Sequence, residues 1–229
     1  MLRLLFLLLI LMGSLAFAQT PEKPKAVKFG EFETATNGIV KMKMDAFYVE
    51  LNNNPAAQGY IINYGTDREI AIRRNQISVS IAWRKFDGTR ITIGDGGFRD
   101  GVKSELWIVP SGAENPQPSS NAEKIDEFPK IPDGELKARL DNFYGLLANK
   151  PNSKGYILNY GSAKVIAFQE KHMKSYIKSR KYDLSKVIFK NAGSDDLWKT
   201  QFWLIPANDK NESKTKIWIV PPGAKPPTQ

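Results

Sequence analysis

Residues 75–83 read NQISVSIAW, in which Ile77, Val79, Ile81 and Trp83 alternate with polar or small residues. Alternation with β-branched side chains is the mark of a half-buried strand. Residues 171–179, KHMKSYIKS, stand 96 positions later and lack it. With Ile166 and Glu170, Met173 and Ile177 recur instead every three to four residues, the spacing of an amphipathic helix. Ile70, Arg74, Ile77 and Ile81 carry the same spacing. A helix is therefore expected in both places, with Arg74 or Glu170 as the polar member beside the apolar stripe.

The offset that joins these stretches runs along most of the chain. Residues 45–65, DAFYVELNNNPAAQGYIINYG, match residues 141–161, DNFYGLLANKPNSKGYILNYG. At the same spacing of 96, Glu31 and Phe32 match Glu127 and Phe128, Asp87 matches Asp183, and Gly97 matches Gly193. Residues 106–110, LWIVP, match residues 202–206, FWLIP. Agreement at one offset without gaps marks a tandem duplication. The apolar framework is kept in Phe47/Phe143, Leu51/Leu147, Tyr60/Tyr156 and Ile62/Leu158, while the polar positions diverge.

Each copy then reads as a short strand (27–33 or 125–130), a helix (40–52 or 135–149), the β-rich GYIINY or GYILNY, the second helix, a strand (90–93 or 186–189) and a last strand. Asn-Asn-Asn-Pro and Asn-Lys-Pro-Asn end the first helix, because proline cannot continue it and disfavours the α region before it. The expected fold is α+β, two tandem β-α-β-α-β-β modules, each a mixed sheet with two helices on one face. The boundaries are 27–110 for the first module, 111–123 for a Pro/Ser/Gly-rich linker, and 124–221 for the second. The second module adds KIWIVPPG at 216–223, expected as a hairpin strand pairing with 202–205, and residues 222–229 read as a disordered tail.

At the amino end, MLRLLFLLLILMGSLAFA places Arg3 ahead of an apolar run, then Gly13, Ser14 and the small residues Ala16 and Ala18. Residues 1–18 read as a secretory signal peptide cleaved after Ala18. A membrane anchor is the competing reading. The run is short against the roughly 20 residues a bilayer span needs, and polar QTPEKPK follows at once. No cysteine stands at the cleavage point, so a lipoprotein anchor is excluded. The expected location is the periplasm or the extracellular space, and the remaining chain offers no other membrane span.

The chain has no cysteine and one histidine, His172, which deprives zinc and thiol chemistry of their usual ligands. His172 reads as a surface residue. No Gly-x-Ser-x-Gly element or triad is present. The run GDGGFRDG at 94–101 lacks the Lys-Ser/Thr of a phosphate loop and the acid spacing of a calcium loop, and reads as a turn between adjacent strands. Trp107, Trp203 and Trp218 lie in end-of-module strands, either buried between the copies or forming an exposed aromatic strip. Asn211 begins a glycosylation sequon that matters only in a eukaryotic secretory pathway.

Charge is unevenly spread. Residues 134–190 hold 12 basic and 4 acidic residues. Lys164, Lys171, Lys174, Lys178, Arg180 and Lys181 gather on and just after the second module's second helix, where the first module has Arg68, Arg73, Arg74, Arg84 and Lys85. A cationic face outside the cytoplasm favours an anionic envelope polymer or envelope protein. Solubility is the plainer reading of the same charge. Export argues against nucleic acid.

With the element order in place, LNNNPAAQGYIINYGTD at 51–67 resembles the stretch of the OmpA-like domain in which a helix ends at an Asn-Pro turn and a strand runs into Gly-His-Thr-Asp. FDGTRITI and YDLSKVIF resemble that family's segment after the second helix, and the paired FYxxLxxxPxxxGYIxNYG blocks look like exported bacterial proteins. The resemblance implies peptidoglycan binding. An Asp takes the ammonium of diaminopimelate, here Asp67, and a helix Arg pairs with its carboxylate, here Arg74 or Arg73. The second module has Ala163 and Glu170 at those places, so the implied site belongs to the first module alone. The functional expectation is a non-catalytic cell-envelope protein without cofactor or metal, binding a wall polymer or another envelope protein. An exported hydrolase with a carboxylate pair and a purely structural interaction module are the alternatives. The sequence leaves the oligomeric state open.

Overall fold

The computed structural model describes residues 23–193 and 198–206. The expected signal peptide at 1–18, the expected hairpin strand at 216–223 with Trp218, the sequon at Asn211 and the expected tail at 222–229 lie outside them.

The first module runs β1 (Val27–Phe32), α1 (Asn37–Asn53), β2 (Gln58–Tyr64), α2 (Asp67–Arg84), β3 (Ile91–Gly97) and β4 (Lys103–Val109). The second runs β5 (Glu123–Pro129), α3 (Asp133–Asn149), β6 (Ser153–Tyr160), α4 (Ala163–Ser179), β7 (Val187–Gly193) and β8 (Lys199–Pro206). The sheets are ordered β1-β4-β2-β3 and β5-β8-β6-β7. In each, the β2–β3 or β6–β7 pair is parallel and the other pairs are antiparallel. Gly59 pairs with Ile91 and Ile108, and Gly155 with Val187 and Leu204, so the sequence offset reappears as strand register.

Each core forms where two helices cover one sheet face. Met44, Phe47 and Leu51 of α1 and Ile77 of α2 meet Ile61 and Leu106 of the sheet. Leu140, Phe143 and Leu147 of α3 and Met173 and Ile177 of α4 meet Ile157 and Phe202. The helices approach so closely that a Cβ on Gly59 would lie 2.9 Å from Leu51 and one on Gly155 2.9 Å from Phe143. Thr66 begins α2 with a reciprocal capping box to Glu69, and Ser162 caps Val165 N–H at α4. Arg90 ties the end of α1 down by donating to the carbonyls of Leu51, Asn54 and Ala57 at 2.8–3.1 Å.

Residues 75–83 are helical, inside α2. Their alternation has a second cause. Ile77 is fully buried, whereas Val79 and Trp83 stand 52% and 59% exposed. With Ile72 of α2 and Ile39, Met42 and Val49 of α1, they belong to an outward apolar face. The matching positions of the second module are polar or small except Phe168: Glu135, Ala138, Gly145, Ser175 and Ser179.

Two expectations need correction. The buried side of α2 is Ile70, Arg73, Ile77 and Ser80, and that of α4 is Ile166, Gln169, Met173 and Ile177. The polar member of each stripe is thus Arg73 or Gln169, not Arg74 or Glu170. Gly94–Gly97 belong to β3 rather than to a turn, and β3 and β4 are not neighbours, since both flank β2. Glycine is needed there because a Cβ on Gly96 would fall 2.2 Å from the Tyr64 ring, and Gly97 has φ +86°.

The sheet faces away from the helices are also covered. Phe98 of the first module packs on Tyr156, Leu158, Tyr160, Ala192 and Trp203 of the second. Phe98 meets Tyr156 edge-on at 5.4 Å and Trp203 at 5.2 Å. Trp203 is therefore an inter-module residue, while Trp107 lies half-buried under the Lys28 ammonium at 5.8 Å. The connecting segment is held, not loose: Ser119 N–H donates to the Tyr64 hydroxyl at 3.1 Å and Ser120 Oγ to the Phe98 carbonyl at 2.8 Å.

Candidate functional site

The residues singled out in the first module take three separate surroundings. Asp67 opens α2 and turns toward the second module, its Oδ2 lying 3.2 Å from the Tyr160 hydroxyl, 3.4 Å from Lys199 Nζ and 3.4 Å from Gln201 Nε2. Arg74 forms an ion pair with Asp95 on the surface. Arg73 is 2% exposed. Its guanidinium donates to Ser104 Oγ at 2.9 Å, the Glu33 carbonyl at 2.8 Å and Gln76 Oε1 at 3.0 Å, and lies 4.6 Å over the Phe32 ring. Burial pulls its pKa below the ordinary arginine value. The structure thus joins Asp67 to the second module and does not bring Arg73 or Arg74 to it.

A charged cluster that sequence reasoning missed lies on the outer face of the first sheet. Glu105, 3% exposed, accepts from Lys103 at 2.9 Å, Lys28 at 2.8 Å, Tyr64 at 3.2 Å and Trp107 at 3.3 Å. Glu31 pairs with the same Lys28 and, at 3.1 Å, with Lys103. Burial pushes the Glu105 carboxyl up, but the hydrogen bonds from Lys28 and Lys103 outweigh it and hold the pKa below the usual range.

The second module repeats the cluster with one exchange. Lys124, Glu127, Tyr160, Lys199 and Trp203 recur, but Gln201 replaces Glu105. Gln201 Nε2 donates to Glu127 at 3.0 Å, and its Oε1 accepts from Trp203 at 3.0 Å. The missing carboxylate comes from Asp67 of the neighbouring module. The signal was present in the alignment: Asp67 and Glu105 face Ala163 and Gln201 at the repeat offset.

Between the modules Tyr64, Arg99, Asp100, Lys103, Ser119 and Tyr156 help to line a cleft of about 300 Å3. Asp100 accepts from Tyr156 at 3.2 Å and pairs with Lys190 at 2.5 Å. Burial, then Asp100, pushes the Tyr156 pKa up to about 12. Burial likewise raises Tyr64 and Tyr160.

The basic residues of α4 lie outside this junction. Lys171 and Lys178 are exposed, and with Lys174, Glu170, Ala167 and Ser175 they form a shallow face on the helix. Lys174 lies 3.5 Å from Glu170 and 4.9 Å over the Phe189 ring. Lys164 is exposed at the helix start, and Lys181 lies past its end with φ 60°. His172 sits on another side of α4, against Asp133. Lys137, then His172, holds Asp133 below its ordinary pKa.

Among the described residues no group of three or more His, Cys, Asp or Glu is placed to hold a metal. No helix among them is long and apolar enough to cross a membrane. No protein-family model matches the chain, and no curated protein matches its sequence.

Proposed function

We propose that this is an exported, non-catalytic cell-envelope protein whose second module docks on an anionic wall polymer through the basic face of α4. One observation carries the reading. Lys171, Lys174 and Lys178 project from one face of a single helix whose other side, Ile166, Met173 and Ile177, is locked in the core. Charge offered from a rigid element at fixed spacing suits a repeating polyanion. Lys164, exposed at the helix start, adds a further charge, whereas Arg180 pairs with Asp141 at 3.3 Å. The resemblance of the element order to the OmpA-like domain and the signal-peptide pattern of residues 1–18 support an envelope compartment and a wall polymer as ligand. The converging acids Glu31 and Glu105 are neutralised by Lys28 and Lys103, which favours binding over hydrolysis with a carboxylate pair.

The test is co-sedimentation of residues 19–229 with purified peptidoglycan over a salt series. Exposed charges are screened over about 8–10 Å at moderate salt, so retention should fall steeply between low and moderate ionic strength. Lys174→Glu with Lys178→Glu should remove it and leave the unfolding temperature unchanged. Salt-independent retention overturns the reading. Loss of retention in Asp67→Ala or Arg74→Ala, with the lysine pair dispensable, moves the site to the first module.

A further inference from the structure

At the same place in both modules, where the chain leaves the first strand beside the second helix and the approach to the last strand, there is a hollow. In the first module it is about 140 Å3, lined by Thr34, Ala35, Ile72, Arg73, Gln76 and Val102 among others. In the second it is about 220 Å3, with Lys130, Ile131, Phe168, Gln169, His172 and Trp198 at the matching positions. Phe128 and Leu136 complete an aromatic and aliphatic wall.

One lining residue of each hollow, Arg73 or Gln169, heads a repeated hydrogen-bond ladder that runs into the sheet. In the first module Arg73 Nη1 donates to Ser104 Oγ at 2.9 Å, and Ser104 donates to Asn63 Oδ1 at 2.7 Å. A guanidinium has no acceptor, so the direction of that ladder is fixed. In the second module Gln169 Nε2 donates to Thr200 Oγ1 at 3.3 Å, and Thr200 donates to Asn159 Oδ1 at 3.0 Å. The exchange leaves a difference. Arg73 spends its remaining donors on Glu33 and Gln76, while Gln169 is shorter and its Oε1 has no partner although the residue is only 6% exposed. Trp198 Nε1, on the wall of the same hollow, is also buried without an acceptor. Asn63 Nδ2 and Asn159 Nδ2 are unpaired alike in the two ladders, so Gln169 Oε1 and Trp198 Nε1 are what sets the second hollow apart. Buried polar atoms of this kind are satisfied by a water or by a ligand group.

We infer that this pocket of the second module is a binding site for a secondary amide carrying a small apolar substituent, the chemistry of an acetamido group. Gln169 Oε1 requires a donor, which the amide N–H supplies. Trp198 Nε1 requires an acceptor, which the amide carbonyl supplies. Phe128, Ile131 and Leu136 take the methyl or short alkyl group. A volume of about 220 Å3 lies below the roughly 300–1,000 Å3 of drug-sized sites, so the pocket takes one such group and not an extended chain. Phe168, 64% exposed at the mouth, offers a ring face against which the rest of the ligand can stack. None of these residues belongs to the basic face of α4, so the inference stands apart from the polymer-docking reading.

The experiment is a 15N-resolved titration of residues 19–229 with N-acetylglucosamine, glucose and N-acetylleucinamide as probes. The Gln169 side-chain amide and Trp198 indole signals should shift saturably with N-acetylglucosamine, with N-acetylleucinamide or with both, and not with glucose. The pattern tells a sugar source of the amide from a peptide source. Gln169→Arg, which installs the first module's residue, should weaken binding at least tenfold. Phe168→Ser at the exposed rim should weaken it several-fold with the amide fingerprint elsewhere unchanged, which keeps the test valid if the buried variant misfolds. Lys174→Glu with Lys178→Glu should leave it unchanged. No saturable shift at millimolar probe, equal shifts with glucose, or undiminished binding in Gln169→Arg overturns the inference.

Discussion

The Tyr160 hydroxyl lies 3.2 Å from the Asp67 carboxylate, across the boundary between the modules. In the first module Tyr64 donates to Glu105 at 3.2 Å inside one sheet, and the position-matched contact of Tyr160 is to Gln201 Oε1 at 3.1 Å, with Asp67 as a second partner. A carboxylate thus faces the same tyrosine in both modules, supplied within the module in one and by its neighbour in the other. Gln201 stands where a second acid would crowd Asp67 and Glu127.

It follows that the source of the carboxylate should be exchangeable. Gln201→Glu alone sets like charges together and should lower stability by about 1–2 kcal/mol, since like charge beside a carboxylate is unfavourable. Gln201→Glu with Asp67→Asn should recover most of that loss. A coupling of about 1 kcal/mol or more is expected for groups in direct contact. Urea unfolding of the four chains of the cycle measures it. Additive effects would mean that Asp67 and Gln201 do not share one site.

The Glu105 cluster makes a prediction about acid. Its folded pKa is held below the ordinary 4.5, burial being outweighed by Lys28 and Lys103. A depressed carboxylate adds stability above its unfolded pKa and loses it as pH falls through the folded value. Thermal stability should therefore be flat from neutrality to about pH 5 and drop below the ordinary value. Glu105→Gln should flatten that acid limb. At neutral pH it should cost about 3 kcal/mol, because Lys103 is left buried with Glu31 alone. An unchanged acid limb in the variant would place the titrating groups elsewhere.

The repeat, the element order and the helix–sheet layering were legible because buried apolar positions are bound by volume and kept their spacing. Phe47/Phe143 and Leu51/Leu147 show it. What escaped were polar groups that fold inward. Arg73 and Arg74 are adjacent, and apolar spacing alone chose Arg74 for the stripe. Arg73 is the buried one because Ser104, Gln76 and the Glu33 carbonyl satisfy its guanidinium. No apolar pattern counts such a residue. Asp67 was legible as a special position but not as a link between modules, because its partners Tyr160, Lys199 and Gln201 come from strands far along the chain.

Gly96 tests the glycine-rich strand. A Cβ there would overlap the Tyr64 ring at 2.2 Å, and that ring is 2% exposed and tied to Glu105 and Ser119. Gly96→Ala should cost about 2 kcal/mol through overpacking. The second module carries Ala192 at the matching place beside Tyr160, so Ala192→Gly should cost no more than about 1 kcal/mol. Equal costs at the two sites would show that the Tyr64 ring yields as freely as Tyr160.

The apolar run 75–83 gives the sharpest contrast between what a side chain is and where it points. Ile77 and Val79 are both β-branched, and in a strand they would share one face. In α2 they are about 200° apart around the axis, and the structure buries Ile77 fully while leaving Val79 52% exposed. Ile77→Ala should cost about 2–5 kcal/mol, for the lost burial and the cavity left among Phe47, Leu51 and Ile61. Val79→Ser copies the second module's Ser175 and should stay within about 0.5 kcal/mol, as surface changes do. Trp83→Ser, copying Ser179, should cost somewhat more, because Lys41 at 4.8 Å and Arg84 at 4.3 Å lie over the indole. Denaturant midpoints of the three variants decide it. Comparable losses at Ile77 and Val79 would restore the strand reading of this segment.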